Sequence, residues 1–272
     1  MRHHDIVDHA APGQLFGLDW RRAADGVVLP LVLARFDIAA FAVERFAEAG
    51  LACPAQIARS VRKRQAEYFH GRLCARQALG ALAVTAASGA TAAPAATAAG
   101  LEGGPAGGHT GGHKGEVGIG AQREPLWPAG ALGSISHSKS LAVAVVAEAT
   151  RYGGIGLDIE EWADGAAAEA LQGLAVSARE MDYLRRFEHS WARERLLTLV
   201  FSAKESFYKG AFGVVGRFFD FTAIELELLD LDAGIARFVL AETLSPQFQL
   251  GHSVTVECRT LGATHVASLF VW

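Results

Sequence analysis

GGIGLDIE, at residues 153–160, is an apolar segment that ends in two carboxylates. Side chains alternate between the faces of an extended chain, so Asp158 and Glu160 point to one side, while Leu157 and Ile159 point to the other, towards a core. Adjacent carboxylates repel each other unless a cation neutralises them, and Mg²⁺ suits such oxygens together with a phosphate. The glycines are interpreted as room for a ligand to approach the backbone. The alternative is an ordinary strand end with two solvated acids.

The composition is that of a folded protein. The chain has 272 residues, 51% of them hydrophobic, enough to bury a substantial core in one large domain or two small ones. The formal net charge is −4 with both signs interspersed, which gives no general electrostatic case for nucleic acid or an anionic membrane. The 3 cysteines lie far apart and in no Cys-x-x-Cys arrangement, which argues against a disulfide framework and a zinc site.

The expected location is a reducing cytoplasm. The N-terminus has no basic region followed by an apolar run, so we expect no export signal. No stretch reaches the roughly 20 apolar residues of a membrane span. We therefore expect a soluble cytoplasmic protein.

The N-terminal part of the chain predicts a strand and two helices. Residues 27–36 read as a β-rich segment interrupted by Pro30, after a polar start. Residues 38–49 have apolar residues at helical spacing and stop at Gly50. A long helix is predicted for residues 54–84.

Basic residues are concentrated in the middle of this long helix: Arg59, Arg62, Lys63, Arg64, Arg72 and Arg76. Arg64, Arg72 and Arg76 recur at helical intervals, so they lie near one face and could converge on an anion. The alternative is a solvated basic face.

Residues 85–115 consist mainly of Ala, Gly, Thr and Pro and contain almost no bulky side chain. Such a stretch cannot bury enough apolar area to offset its ordering entropy, which predicts a flexible insertion. His109 and His113 within it are weak evidence for a metal site.

Two motifs follow the insertion. REPLWP at residues 123–128 predicts a rigid extended segment, because each residue before a proline favours β or polyproline geometry. GSISHS at residues 133–138 precedes an apolar strand at 141–147. Short hydroxyls and a histidine at the mouth of a buried strand suit phosphate oxygens. They could equally form a turn that satisfies its own backbone.

Two helices are predicted beyond the acidic strand. SARE at residues 177–180 is a capping box that starts a helix through Phe187. The second helix spans residues 190–211, with an inward stripe of Leu196, Val200, Ala203 and Phe207. Glu205 and Lys209 project from the other side, either as functional groups or as a surface ion pair, and Lys204 lies between the two faces. The remainder predicts strands at 218–229, 236–241, 250–259 and 263–271.

Four motifs in order resemble the motif series of the 4′-phosphopantetheinyl transferases, in the larger monomeric class that includes the enterobactin-synthase type. They are REPxWP at 123–128, GSxSH at 133–137, GxDxE at 156–160 and FSxKESxxK at 201–209. Each motif alone is weak, but four in order are specific. The resemblance includes the basic helix and extends over about residues 50–215. It is thin at the N-terminus, absent from the insertion and only general in the C-terminal strands.

The resemblance implies transfer of the phosphopantetheine arm of coenzyme A to a serine of an acyl or peptidyl carrier protein, with Mg²⁺, releasing 3′,5′-ADP. Asp158, Glu160 and Glu205 would be the metal ligands. Glu205, or a water held by these acids, would be the general base. Lys209, and with it Lys204, would bind the phosphates. The pathway would be siderophore, polyketide or fatty-acid synthesis.

The resemblance also implies a coenzyme A site. Arg64, Arg72 and Arg123, with Ser136 and His137, would hold the 3′-phosphate and the pyrophosphate, since the arginine fork matches phosphate oxygens.

The fold implied is α+β: a pseudo-twofold pair of similar halves, each a small antiparallel sheet packed with a long helix, with coenzyme A between them. We place the halves at residues 1–150 and 151–272, the second carrying the metal site. The class predicts a monomer.

Two other functions remain open from the sequence. A metal-dependent phosphohydrolase would use the same acids to activate water and would cleave coenzyme A, or a nucleotide pyrophosphate, without a carrier protein. A non-catalytic coenzyme A or nucleotide-binding module would need only the basic helix and GSxSH, and would leave Asp158, Glu160 and Glu205 without a role.

Overall fold

A computed structural model of the chain describes residues 7–8, 10–88 and 116–272, except for the side chains of 84–88. The predicted flexible insertion, with His109 and His113, lies outside the described residues apart from 85–88, which continue a helix. Two compact units are formed, His9–Arg151 and Tyr152–Trp272, and Val7 and Asp8 belong to the second. We call them the N-terminal and the C-terminal unit.

The N-terminal unit is an antiparallel sheet with one long helix packed on it. Its described elements are β1 Leu15–Arg21, β2 Val28–Arg35, α1 Arg45–Glu48, α2 Ala55–Ala58, α3 Arg62–Ser88, β3 Gly118–Ile119, β4 Pro125–Leu126, β5 Ala131–His137 and β6 Leu141–Glu148. The sheet order is β1-β2-β6-β5, and β3 pairs separately with β4. Helix α3 packs on β2, β5 and β6, and its core side chains include Phe69 and Leu73.

The C-terminal unit has the same plan with a larger sheet. Its elements are β7 Ile155–Glu161, α4 Gly165–Ala175, α5 Ala178–Leu184, α6 Arg193–Val215, β8 Ile224–Asp230, β9 Ile235–Leu240, β10 Ser253–Leu261 and β11 His265–Val271. The sheet order is β7-β11-β10-β9-β8, with neighbours antiparallel. Helix α6 packs on β7, β10 and β11. The α+β class, with an antiparallel sheet and a long helix in each half, is confirmed.

The strongest local patterns are also confirmed. Leu196, Val200, Ala203 and Phe207 are all at most 1% exposed and form the inward stripe of α6. The Ser177 hydroxyl accepts from Glu180 N, and the Glu180 carboxylate accepts from Ser177 N, so the capping box is complete. Among the described residues, no helix has both the length and the apolar character needed to cross a membrane.

The predicted helix at residues 38–49 is wrong. Only Arg45–Glu48 is helical, and turns precede it. Phe41 and Phe46 are both buried and contact each other edge to face at 6.1 Å. They are five residues apart, so one regular helix would place them on different faces. Packing against the core therefore overrides the apolar spacing.

Several described elements were not predicted, among them strand β1 and helix α4. Strand β1 lies in what read as a polar start; Leu18 and Trp20 alternate inwards from it, and it pairs with β2 along its length. Helix α4 is capped by Asp164, whose carboxylate accepts from Ala167 N. The long N-terminal helix is also interrupted, since Ala55–Ala58 ends before α3 begins at Arg62.

Candidate active site

Strand β7 and helix α6 approach closely because both carry glycine at the contact. A Cβ atom on Gly156 would overlap the carbonyl oxygen of Ser206, and one on Gly154 would overlap that of Gly210. On the helix, a Cβ on Gly210 would lie 2.9 Å from Gly156 N. The interpretation of these glycines as room for a ligand is therefore wrong, since the backbone of α6 occupies the space.

Three buried serines join the same helix to the neighbouring strand β11. Ser268 Oγ lies 2.7 Å from Ser202 Oγ and 2.5 Å from Ser206 Oγ. Ser268 is also the register partner of Asp158 in the sheet. These hydrogen bonds hold α6 at a defined position along β7, which brings Glu205 and Lys209 to the acidic end of the strand.

Asp158 forms an ion pair with Lys209. Lys209 Nζ lies 2.6 Å from Asp158 Oδ1, and the side chains are 25% and 3% exposed. Burial lowers the pKa of Lys209, but the charges of Asp158, Glu205 and Glu160 and the hydrogen bond to Asp158 outweigh it, so the pKa is raised overall. The lysine is therefore firmly cationic beside a buried carboxylate.

The other two acids lack sufficient positive charge around them. Burial and the charge of Asp158 raise the pKa of Glu160 to about 8, although Lys209 lowers it. Burial also raises the pKa of Glu205, and Asp158 adds to this against the effect of Lys209. A buried acid with a raised pKa has an electrostatic reason to bind a cation.

The donor chemistry of these acids fits a hard divalent cation, which prefers carboxylate oxygens. Within the described ranges, however, no three His, Cys, Asp or Glu side chains are gathered as a ready metal site. In this arrangement Lys209 supplies the positive charge at Asp158. Asp158, Glu160, Glu205 and Lys209 form what we call the acidic site of the C-terminal unit.

An aromatic pocket of about 280 Å³ adjoins Glu205 in the same unit. Its lining includes Phe207, Tyr208, Phe218, Phe219 and Phe221. Phe218 is 68% exposed, and burial followed by the charge of Glu205 raises the pKa of Tyr208. The sequence motifs did not indicate this pocket.

The N-terminal unit contains a second, basic pocket of about 250 Å³. Four of the predicted coenzyme A residues line it: Arg64, Arg72, Arg123 and His137. Arg64 Nη1 lies 3.4 Å from His137 Nε2. Arg72 donates to Gly118 O at 2.9 Å, and its guanidinium lies 4.8 Å from the centre of the Tyr68 ring.

Arg123 occupies the turn between β3 and β4. Its φ of 68° is in the left-handed region, which is uncommon for a residue other than glycine. The turn is closed by Arg123 N donating to Gly120 O at 3.0 Å and by Gly120 N donating to Glu124 O at 2.8 Å. The strained turn places Arg123 in the pocket lining.

Glu67 also lines this pocket, and sequence reasoning missed it. It is 7% exposed and lies within 4 Å of Lys63, Arg64 and His137. The available signal was its position one helical turn after the two basic residues.

Three predicted basic or polar residues lie elsewhere. Lys204 lines the aromatic pocket, but its Nζ contacts Glu180 Oε1 at 2.8 Å in a pair whose side chains are 2% and 1% exposed. Ser136 is 5% exposed, alternates with His137 along β5 and is not in the pocket lining. Arg76 donates to Ala49 O at 2.6 Å and holds a loop.

Comparison with known proteins defines the class. Residues 154–267 match the family model of the 4′-phosphopantetheinyl transferase superfamily. Residues 53–100 and 106–147 match that of the 4′-phosphopantetheinyl transferase N-terminal domain. Together the two matches cover most of the chain, which therefore belongs to the 4′-phosphopantetheinyl transferase superfamily, in its larger class.

Among individual relatives, two are named as 4′-phosphopantetheinyl transferases and one as a component of enterobactin synthase. The chain is 31% identical over 185 residues to 4′-phosphopantetheinyl transferase Svp of Streptomyces mobaraensis, covering 66% of this chain and 61% of that protein. It is 34% identical over 148 residues to enterobactin synthase component D of Salmonella typhi, covering 54% and 48%. It is 28% identical over 186 residues to 4′-phosphopantetheinyl transferase Npt of Nocardia iowensis, covering 67% and 69%. The chain thus spans less than two thirds of the first two relatives.

Proposed function

We propose that this protein transfers the 4′-phosphopantetheine arm of coenzyme A to a serine of an apo carrier protein. The observation that carries the proposal is the acidic site, where β7 and α6 of a chain in this superfamily bring Asp158, Glu160, Glu205 and Lys209 together. In the reaction, the serine hydroxyl oxygen bonds to the phosphorus of the pantetheine phosphate. The bond from that phosphorus to the bridging oxygen breaks, and 3′,5′-ADP leaves.

Each residue of the acidic site has a role in this chemistry. Glu205 is the proposed base that accepts the serine proton, and burial raises the pKa of its carboxyl in the protein without metal. Lys209 offsets negative charge on the reacting phosphates. Asp158, Glu160 and Glu205 would hold a divalent cation, Mg²⁺ in our proposal, which when bound would neutralise pyrophosphate charge.

The basic pocket is assigned to the 3′-phosphate of coenzyme A. Arg64, Arg72, Arg123 and His137 supply nitrogen donors around it, and arginine matches phosphate oxygens in charge and shape. We leave Lys204 and Ser136 out of this set because both residues are buried and neither lines the basic pocket.

The aromatic pocket beside Glu205 is assigned to the pantetheine arm. The arm is a thin chain of methylene and amide groups, which suits a mainly apolar wall with a few polar atoms. Tyr208 Oη, which is buried and makes no hydrogen bond to any residue that the structure describes, is available to an amide of the arm.

The carrier protein is proposed to belong to siderophore, polyketide or fatty-acid synthesis. One relative is named as a component of enterobactin synthase, and two are named only by the transfer activity. A monomeric state and a cytoplasmic location stay predictions.

The test is to incubate the protein with coenzyme A and Mg²⁺, with and without an apo carrier protein, and to detect products by mass spectrometry. The proposal expects a phosphopantetheine adduct on the carrier serine and an equal amount of 3′,5′-ADP. Coenzyme A cleavage without any carrier would instead support the phosphohydrolase. Binding without either product would support the non-catalytic module. Glu205→Gln is the inactive comparison, and Glu242→Gln, at an exposed position of the same unit, is the matched control.

A further inference from the structure

We infer that Glu67 is a positioning residue of the basic pocket, which holds Arg64 and His137 close enough together for both to bind one phosphate group. The identity of that phosphate as part of coenzyme A rests on the proposed function. The positioning of Arg64 and His137 by Glu67 is argued from geometry alone and does not depend on that function.

Three atoms form a nearly equilateral triangle. Glu67 Oε2 lies 3.7 Å from Arg64 Nη1 and 3.6 Å from His137 Nε2. The third side, from Arg64 Nη1 to His137 Nε2, is 3.4 Å. The second carboxylate oxygen, Oε1, lies 3.9 Å from Lys63 Nζ. One carboxylate thus faces three basic side chains.

The carboxylate of Glu67 is buried, whereas the basic side chains beside it on α3 are exposed. Glu67 is 7% exposed, while the side chains of Lys63 and Arg64 on the same helix are 60% and 43% exposed. One turn further along α3, a Cβ on Gly71 would lie 2.8 Å from Ile135 Cγ2, so the helix runs close to β5 at this level. The end of β5, which carries His137, is thereby brought to Glu67.

The negative charge of Glu67 offsets the repulsion between the two basic groups of the pocket. Two donors that grip one phosphate must lie a few ångströms apart, and both are cationic when the imidazole is protonated. With the imidazole protonated, two cations 3.4 Å apart repel each other before a ligand binds. A carboxylate at the third vertex offsets that repulsion, so the donors stay in place in the empty pocket. This is preorganisation, which lowers the cost of binding.

The distances also indicate that Glu67 acts through its charge. Separations of 3.6–3.9 Å are longer than an ordinary hydrogen bond. The carboxylate therefore does not form the short, bidentate contact that would engage the Arg64 fork and compete directly with a phosphate.

The test measures binding by calorimetry without a carrier protein, so that it is independent of transfer. The probes are coenzyme A, 3′,5′-ADP and dephospho-coenzyme A, which lacks the 3′-phosphate. Glu67→Gln keeps the side-chain shape and removes the charge, and we expect it to weaken coenzyme A and 3′,5′-ADP about tenfold, the scale of one charge-assisted contact. Dephospho-coenzyme A should bind the variant and the parent almost equally. Glu67→Asp, which keeps the charge, should recover part of the loss.

Matched variants separate positioning from stability. Glu48→Gln removes the same charge from an exposed position of α1 in the same unit and should leave all three affinities unchanged. His137→Gln combined with Glu67→Gln should lose less than the product of the single effects, because Glu67 acts through His137. A general folding defect in Glu67→Gln would weaken the binding of dephospho-coenzyme A as much as that of coenzyme A, so the third probe separates the two explanations.

The outcomes distinguish this inference from the function on which it rests. If the parent protein binds none of the three probes, the proposed function fails. If the parent binds coenzyme A and Glu67→Gln binds it equally or more tightly, the positioning role is overturned, since the carboxylate would then only repel the phosphate. An equal loss for dephospho-coenzyme A would also overturn it.

Discussion

Asp158 and Lys209 form an ion pair of 2.6 Å between the acidic end of β7 and the middle of α6, with Asp158 almost completely buried. The pair unites the strand that carries two acids with the helix that carries the third. Because Asp158 cannot turn to solvent, its ionised state depends on Lys209 or on another cation.

Lys209→Met should therefore destabilise the protein as well as inactivate it. Removing the lysine leaves a buried carboxylate without its cation, a loss of about 3 kcal/mol in the free energy of unfolding. Adding Asp158→Asn should restore much of the stability but none of the transfer activity. Urea unfolding and the carrier assay measure the two effects. If Lys209→Met alone is as stable as the parent protein, this account of the ion pair is wrong.

The stability of metal-free protein should fall as the pH rises. Burial and the charge of Asp158 raise the pKa of Glu160 from 4.5 to about 8, so the folded state holds a proton that the unfolded state has released. The free energy of unfolding therefore decreases from about pH 4.5 upwards through pH 8. Glu160→Gln should flatten this dependence, and so should Mg²⁺, whose binding requires the ionised acid. Denaturant titrations at several pH values, with Mg²⁺ or a chelator, provide the measurement; the same slope in Glu160→Gln would refute the assignment.

Arg64→Ala and Arg123→Ala should raise the Michaelis constant for coenzyme A about tenfold, the scale of one charge-assisted hydrogen bond. Turnover at saturation should change less, because this binding is shared by the ground and transition states. Arg59→Ala removes the same charge from an exposed site outside the pocket lining and is the control. With dephospho-coenzyme A, an arginine that binds the 3′-phosphate loses its effect. If neither Arg64→Ala nor Arg123→Ala changes the kinetics, the basic pocket does not bind a phosphate of coenzyme A.

Lys204→Met should lower the stability of the fold. Glu180 accepts from Lys204 Nζ, from Ser177 N and from Leu226 N, so the substitution leaves a carboxylate of 1% exposure without its cation. The expected loss is about 3–5 kcal/mol. Arg179→Met breaks an ion pair of similar length in which the arginine is 83% exposed, and should cost at most about 1 kcal/mol. A stable Lys204→Met protein with a raised Michaelis constant for coenzyme A would restore Lys204 to the binding set.

Gly156→Ala should abolish transfer, because its Cβ would overlap Ser206 O and push α6, with Glu205 and Lys209, away from β7. Gly213→Ala lies on the same helix, where the added Cβ meets no described residue within 4 Å beyond its neighbours on the helix. It should retain activity and gain up to about 1 kcal/mol from helix propensity. The measurements are the transfer activity and the melting temperature of the two variants. An active Gly156→Ala protein would show that the close approach of α6 to β7 is not needed for transfer.

Local patterning was sufficient for much of the fold. The capping box at Ser177, the inward stripe of α6 and the alternation of β7 depend on residues near one another in the chain, so they could be predicted. The order of the four motifs indicated the superfamily for the same reason, since it needs no knowledge of contacts. The positions of Asp158 and Glu205 on a strand and a helix followed directly.

Other features depended on which surfaces pack together, and only the tertiary structure decided them. Apolar spacing at residues 38–49 predicted a helix, but the packing of two phenylalanines against the core left one turn of it. The glycines of β7 accommodate a helix backbone, which no local pattern distinguishes from a ligand.

Tertiary packing also determined which partner each charged side chain meets. Lys204 and Glu205 are neighbours in the chain, yet the rotation between successive helical residues turns Lys204 towards Glu180 and leaves Glu205 near the charges of Lys209 and Asp158. Glu67 became part of the basic pocket because β5 brings His137 to it from far along the chain. Sequence patterns specify which side chains share a helix or strand face, but the charge that each one meets comes from segments that only folding brings near.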